Sequence, residues 1–113
     1  MKNTDAVSAL AALAQDSRLD VFRLLVEAGP AGLPAGQVAD KLKLAPSALT
    51  FHFDRLRDAG LVTVRRDGRS MIYAAQFDVM NGLVMFLTDN CCGGQSELCA
   101  PVCKPVKKAK VRA

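Results

Sequence analysis

Residues 44–75 read LAPSALTFHFDRLRDAG followed directly by LVTVRRDGRSMIYAA. The first half has helical spacing. Pro46 suits the first helical position, where its missing N–H leaves no bond unmade, and Gly60 suits a helix end. At 100° per residue, Leu49, Phe53 and Leu56 collect on one face of a helix over 46–59. The opposite face carries Ser47, Thr50, Phe51, Asp54 and, at its edge, Arg55. The second half alternates apolar residues with period two around Asp67-Gly68, the strongest short-range hairpin signal.

Working outward, DAVSALAALA (5–14) predicts a helix apolar nearly all round, which wants burial on more than one side. SRLDVFRLLVEA (17–28) predicts a second, with Leu19, Phe22, Leu25 and Val26 inward, stopped by Gly29-Pro30. After the loop GPAGLPAG, GQVADKLK (36–43) gives a short third helix with Val38, Ala39 and Leu42 inward. FDVMNGLVMFLTDN (77–90) gives a last apolar helix. The order α-α-α-α-β-β-α, mainly α with a β-hairpin, describes a winged helix-turn-helix. The terminal helices are too apolar for a monomer surface, so a homodimer through them is expected. Residues 1–90 then form the DNA-binding and dimerisation domain, 91–103 a cysteine-rich metalloid-binding segment, and 104–113 a disordered basic tail.

At 113 residues the chain is one small domain. Its formal charge of +4 is local in origin, because five of the fifteen basic residues follow the last cysteine, where no acid lies. Residues 43–75 hold six basic and three acidic residues, a positive patch of the kind nucleic acid requires. Ser47 and Thr50 suit base edges or phosphates, Phe51 a thymine methyl, and Asp54 a cytosine amino group. Arg65, Arg66 and Arg69 surround the hairpin turn, placed to reach a minor groove or its phosphates. His52 projects to the flank of the apolar face, where packing or a phosphate contact is favoured over metal ligation. The bland alternative, a solvated helix face, is disfavoured by the short preceding helix, the tight connection and the basic hairpin. No signal peptide and no apolar run of about 20 residues is present, so a cytoplasmic protein with no membrane partner is expected.

All four cysteines lie in TDNCCGGQSELCAPVCKP (88–105). Consecutive Cα atoms lie ~3.8 Å apart, below the usual ~4.4–6.8 Å of a disulfide, so Cys91 and Cys92 read as a pair of free thiols. Gly93-Gly94 lets the chain double back, and Cys99 or Cys103 supplies a third sulfur. Soft thiolates select soft ions. Trivalent arsenic takes three sulfurs in a pyramid; zinc prefers four ligands, but Cys-x-x-Cys knuckles are missing. Another soft metal, thiol-redox sensing and no ligand role stay open. A small arsenate or disulfide reductase is the competing class. No strand–Cys–loop–helix anion cradle surrounds any thiol and His52 is the single histidine, so no enzyme and no catalytic cofactor is expected. A nonspecific architectural DNA binder using the tail leaves the cysteines unexplained.

SRLDVFRLLVEAG, APSALTFHFDRLRDAGLV and RRDGRSMIYAA together resemble the ArsR/SmtB family of metalloregulatory repressors, over about residues 7–88. The resemblance implies a homodimeric repressor that leaves double-stranded operator DNA when a metal or metalloid binds. The family's DNA-reading positions match Ser47, Thr50, Phe51, His52 and Arg55, with Phe51 standing where many members carry a basic or polar residue. GLPAGQVADKLKL (32–44) lacks the Cys-Val-Cys of the best-known arsenic-responsive members, and the last helix lacks the His/Asp ligand pairs of zinc-sensing relatives. TDNCCGG with a downstream cysteine is similar to an atypical group whose arsenite site follows the last helix. That match implies Cys91, Cys92 and Cys99 as ligands, Cys103 being the spare and the alternative third sulfur. The inducer implied is arsenite, with antimonite as an alternative and methylarsenite open for a two-thiol site.

Overall fold

The chain runs α1 (Asn3–Leu13), α2 (Asp16–Ala28), β1 (Leu33–Pro34), α3 (Ala35–Leu42), α4 (Pro46–Asp58), β2 (Val62–Asp67), β3 (Ser70–Ala75) and α5 (Phe77–Thr88). The structure, a computed structural model, describes residues 1–90 and residue 93. Met1–Leu83 cluster as one unit and the chain from Val84 as another.

In the first unit, α1 is started by the Asp5 carboxylate, which accepts from the Lys2 backbone N–H at 3.1 Å. It buries only the small stripe Ala6, Ala9 and Ala12, leaving Val7 and Leu10 exposed. The Gln15 side chain caps α2 by accepting from the Arg18 backbone N–H at 2.8 Å. This helix buries Val21, Phe22 and Leu25. Leu19, expected inward, is 42% exposed, and Val21 takes its place at 0%. At 3.6 residues per turn Leu19 lies about 60° beyond Phe22, outside the Val21–Leu25–Phe22 arc. In α3 Val38 is fully buried, with Ala39 and Leu42 half-buried.

The sheet is antiparallel in the order β1-β3-β2. The expected hairpin is present, pairing Val62 with Ala75 through to Asp67 with Ser70. Gly68 has φ +63° while Arg69 does not take positive φ, the pattern of a type II′ turn. The turn thus centres on Gly68-Arg69, one residue later than the sequence suggests. A third strand was not expected. Leu33 and Pro34 pair with Tyr73 and Ile72, a bridge too short to show alternation. Gly32 makes that approach feasible: it has φ +72°, and a Cβ there would collide with the Tyr73 carbonyl oxygen.

Helix α4 is held at both ends and along one side. Pro46 opens it. At its end Gly60 takes φ +78°, its N–H donates to the Arg57 carbonyl at 2.9 Å, and the Leu61 N–H donates to the Leu56 carbonyl at 2.9 Å. This left-handed glycine cap satisfies the terminal carbonyls and delivers the chain into β2. Leu49, Phe53 and Leu56 are buried as expected, and the Phe53 ring stacks on Tyr73 of β3 at 3.6 Å and 5°. Helix α5 buries Leu83. In the second unit Val84, Met85 and Leu87 are exposed, Met85 at 70%.

Gly32→Ala is expected to lower stability by on the order of 2–4 kcal/mol, through positive φ and collision with β3. Urea denaturation measures this; an unchanged midpoint would show that the loop relaxes freely away from Tyr73.

Candidate nucleic-acid interface

With Leu49, Phe53 and Leu56 turned inward, geometry leaves the other side of α4 to solvent. Ser47, Thr50, Phe51, Asp54 and Arg55 are all exposed. Phe51 is the feature that a purely solvated face does not require: a ring left 50% exposed amid polar neighbours. It is held in place. The Arg55 guanidinium lies over it at 5.0 Å from the centroid, and that of Arg18 at 5.7 Å. The Thr50 hydroxyl donates to the Pro46 carbonyl at 3.0 Å, which fixes its rotamer and leaves the oxygen free to accept.

His52 does not share this face. It is 8% exposed, and the edge of its ring meets Phe51 at 5.9 Å and 61°. The family match placed it among the DNA-reading residues, but on the helical wheel it falls beside Leu49 and Leu56, with the core. Its Nδ1 is solvent-inaccessible and without a hydrogen-bond partner. Burial, and then the positive charge of Arg18, lower its pKa below the ordinary imidazole value.

The three wing arginines divide as well. Arg66 and Arg69 stand exposed at the hairpin end. Arg65 donates from Nη2 to the Ala31 carbonyl at 3.0 Å, tying β2 to the loop before β1. Its side chain shares the Ile72 side of the hairpin, so one of its donors is engaged at home. Cys91, Cys92, Cys99 and Cys103 lie outside the described residues. Among the described residues no three His, Cys, Asp or Glu side chains gather as a metal site. Arg18 is the interface residue that helical periodicity did not single out, because its relation to Phe51 crosses between helices.

A short helix, a connection and an exposed second helix followed by a basic hairpin define a winged helix-turn-helix, the DNA-binding class. Comparison with known proteins agrees. Residues 13–65 match the model of a helix-turn-helix domain family. The chain is 34% identical over 67 residues to the uncharacterised HTH-type transcriptional regulator YceK of Bacillus subtilis, covering 59% of this chain and 66% of that protein. Among solved structures, NolR from Sinorhizobium fredii superposes with a TM-score of 0.60 at 32% identity, covering 75% of this chain and 82% of that one. An ArsR-like transcriptional regulator from Rhodococcus sp. RHA1 superposes with a TM-score of 0.66 at 27% identity, covering 74% and 76%. The chain belongs to the ArsR/SmtB family of winged helix transcriptional regulators. No helix among the described residues is long and apolar enough to cross a membrane.

The lowered His52 pKa has a testable sign. The folded state resists protonation more than the unfolded chain, so the unfolded chain binds more protons as pH falls through the ordinary value near 6.5. Stability contributed by neutral His52 is therefore present above about pH 6.5 and lost below it. Thermal melting between pH 7.5 and 5.5 should show the midpoint falling with acid, and falling less in His52→Gln. Equal slopes in the two proteins would contradict this.

Proposed function

We propose that the protein is a homodimeric, DNA-binding transcriptional repressor that leaves its operator when trivalent arsenic binds C-terminal thiolates. The observation that carries the DNA half is the exposed set Ser47, Thr50, Phe51 and Arg55 on a helix pinned along its opposite side. Arg66 and Arg69 on the wing add the charge that duplex phosphates demand. The dimer reading is supported by large apolar side chains left exposed on α1 and, separately, on α5. Repression, and release on binding, follow the family.

The sensing half rests on the sequence after α5. Only Asp89 and Asn90 separate Thr88 from the adjacent Cys91-Cys92 pair. Arsenite exchanges its three hydroxyls for three thiol sulfurs, each thiol proton leaving with a hydroxyl as water. The product is neutral, so burying it costs little compared with burying a cation. Cys91, Cys92 and Cys99 are the assigned donors, with Cys103 the spare; antimonite has the same valence and coordination. Ligation ties the segment to the end of α5, and through the dimer it biases the spacing of two heads that fit half-sites ~34 Å apart. Coupling of this type is typically ~1–3 kcal/mol, enough to empty an operator. Supercoil or bulk DNA packing by the tail plays no part in this reading.

Fluorescence anisotropy on a duplex that the protein selects from a randomised pool tests both halves. Thr50→Ala and Arg55→Ala should each weaken specific binding at least tenfold while the protein still takes up arsenic. Parental affinity in both would remove α4 from its assigned role.

For the sensor, Cys91→Ser and Cys92→Ser should each bind DNA like the parent and fail to release with arsenite. Cys99→Ser should also fail with arsenite yet keep a response to methylarsenite, which offers only two exchangeable positions. Cys103→Ser should respond as the parent does. Loss of arsenite release in Cys103→Ser with retention in Cys99→Ser would show that the third ligand is misassigned.

A further inference from the structure

Helices α1, α2 and α4 enclose a groove of about 360 Å³, lined by Ser8, Ala12, Arg18, Phe51, Arg55 and Asp58 among others. Two of its features are unusual together. Guanidinium groups from two different helices converge on one phenylalanine ring, Arg18 from α2 and Arg55 from α4. Neither has a counter-ion: the ion pair formed among the described residues is Arg23–Glu27 at 3.8 Å, and Asp58 lies beyond pairing distance of both groove arginines. Two like charges brought together without an anion repel each other, and an anion between them relieves that.

The Arg18 side chain is also locked. Its Nε is solvent-inaccessible and lacks a partner, so the stem is packed and part of its hydration has been surrendered in advance. What remains for a ligand is the terminal pair of amino groups, whose fork geometry fits a phosphate. Neutral His52, with its own occluded Nδ1, adds no further positive charge at this point.

The source of the anion follows from the groove's position. Phe51 and Arg55 belong both to the groove and to the exposed face of α4. A duplex lying on that face presents a phosphate every 3.4 Å along each strand. We propose that Arg18, outside the helix-turn-helix pair, forms with Arg55 a clamp for one operator phosphate, with Phe51 as its spacer. This rests on the DNA-reading assignment above and deepens it. Arg18 then fixes the register of α4 on the backbone and carries no base preference of its own.

Anisotropy titrations across a series of KCl concentrations, on the selected duplex and on a scrambled one, test the clamp. In Arg18→Gln the slope of log K against log salt should shrink by about 0.9, the loss of one neutralised phosphate. Affinity should fall on both duplexes, leaving their ratio within about twofold of the parent's, as expected for a contact to the backbone. Arg18→Lys, which keeps the charge, covers the case where the glutamine variant does not fold. It should hold the parental slope while losing at least about threefold in affinity, because the fork is gone. An unchanged slope in a folded Arg18→Gln, or parental affinity in Arg18→Lys, overturns the clamp alone. No preference between the duplexes in the parent overturns the DNA-reading assignment, and the clamp with it.

Discussion

One helix has to be fastened on one side and bare on the other, and everything else in the described unit serves that constraint. Leu49, Phe53 and Leu56 of α4 are driven inward by the hydrophobic effect, each contributing on the order of 2 kcal/mol when fully buried. The Phe53–Tyr73 stack sets the helix against the sheet in a single orientation. The glycine cap at Gly60 then feeds Leu61 and Val62, both buried, into β2, so the wing leaves the helix end at a fixed angle. The recognition face and the wing are thus two outputs of one packing event. Loosening the helix on its buried side disturbs both.

Electrostatics works locally. Before the tail the chain is close to neutral, with ten basic and eleven acidic residues through residue 103. Attraction to DNA cannot therefore come from a general positive field of the folded part. It comes from which arginines are free to act, and the structure sorts them. Arg65 gives a donor to the Ala31 carbonyl and serves the architecture. Arg66 and Arg69 remain exposed, and Arg18 joins Arg55 over Phe51. Surface Arg23 is paired with Glu27, an exposed i,i+4 contact of small energetic weight.

Where local spacing governs, the sequence was readable. The buried and exposed faces of α4, the hairpin around Gly68, and the order of helices all follow from periods of 3.6 and 2 together with glycine and proline punctuation. What escaped was set by tertiary choice. Periodicity did not distinguish Leu19 from Val21, since both lie near an apolar arc and neighbouring elements decide which one is covered. Leu33 and Pro34 are strand residues only because Gly32 lets them reach β3. His52 was read as a flank residue, and the packing of α4 takes it to the core side. Arg18 lies 33 positions from Phe51 in the chain, and no short-range pattern relates the two. The cysteines are the reverse case: their chemistry is legible from residue type and adjacency alone, without any help from the fold.

The claim on which the others depend is that the outer side of α4 meets DNA. Backbone and side-chain NMR shifts of the full-length protein, recorded with and without a duplex it has selected from a randomised pool, address that claim directly. Perturbations should concentrate at Ser47, Thr50, Phe51, Asp54 and Arg55 and at Arg66 and Arg69, with Val21 and Leu25 in the core of α2 largely unmoved. Perturbations concentrated elsewhere, with the shifts of residues 47–55 unchanged at saturation, would contradict it.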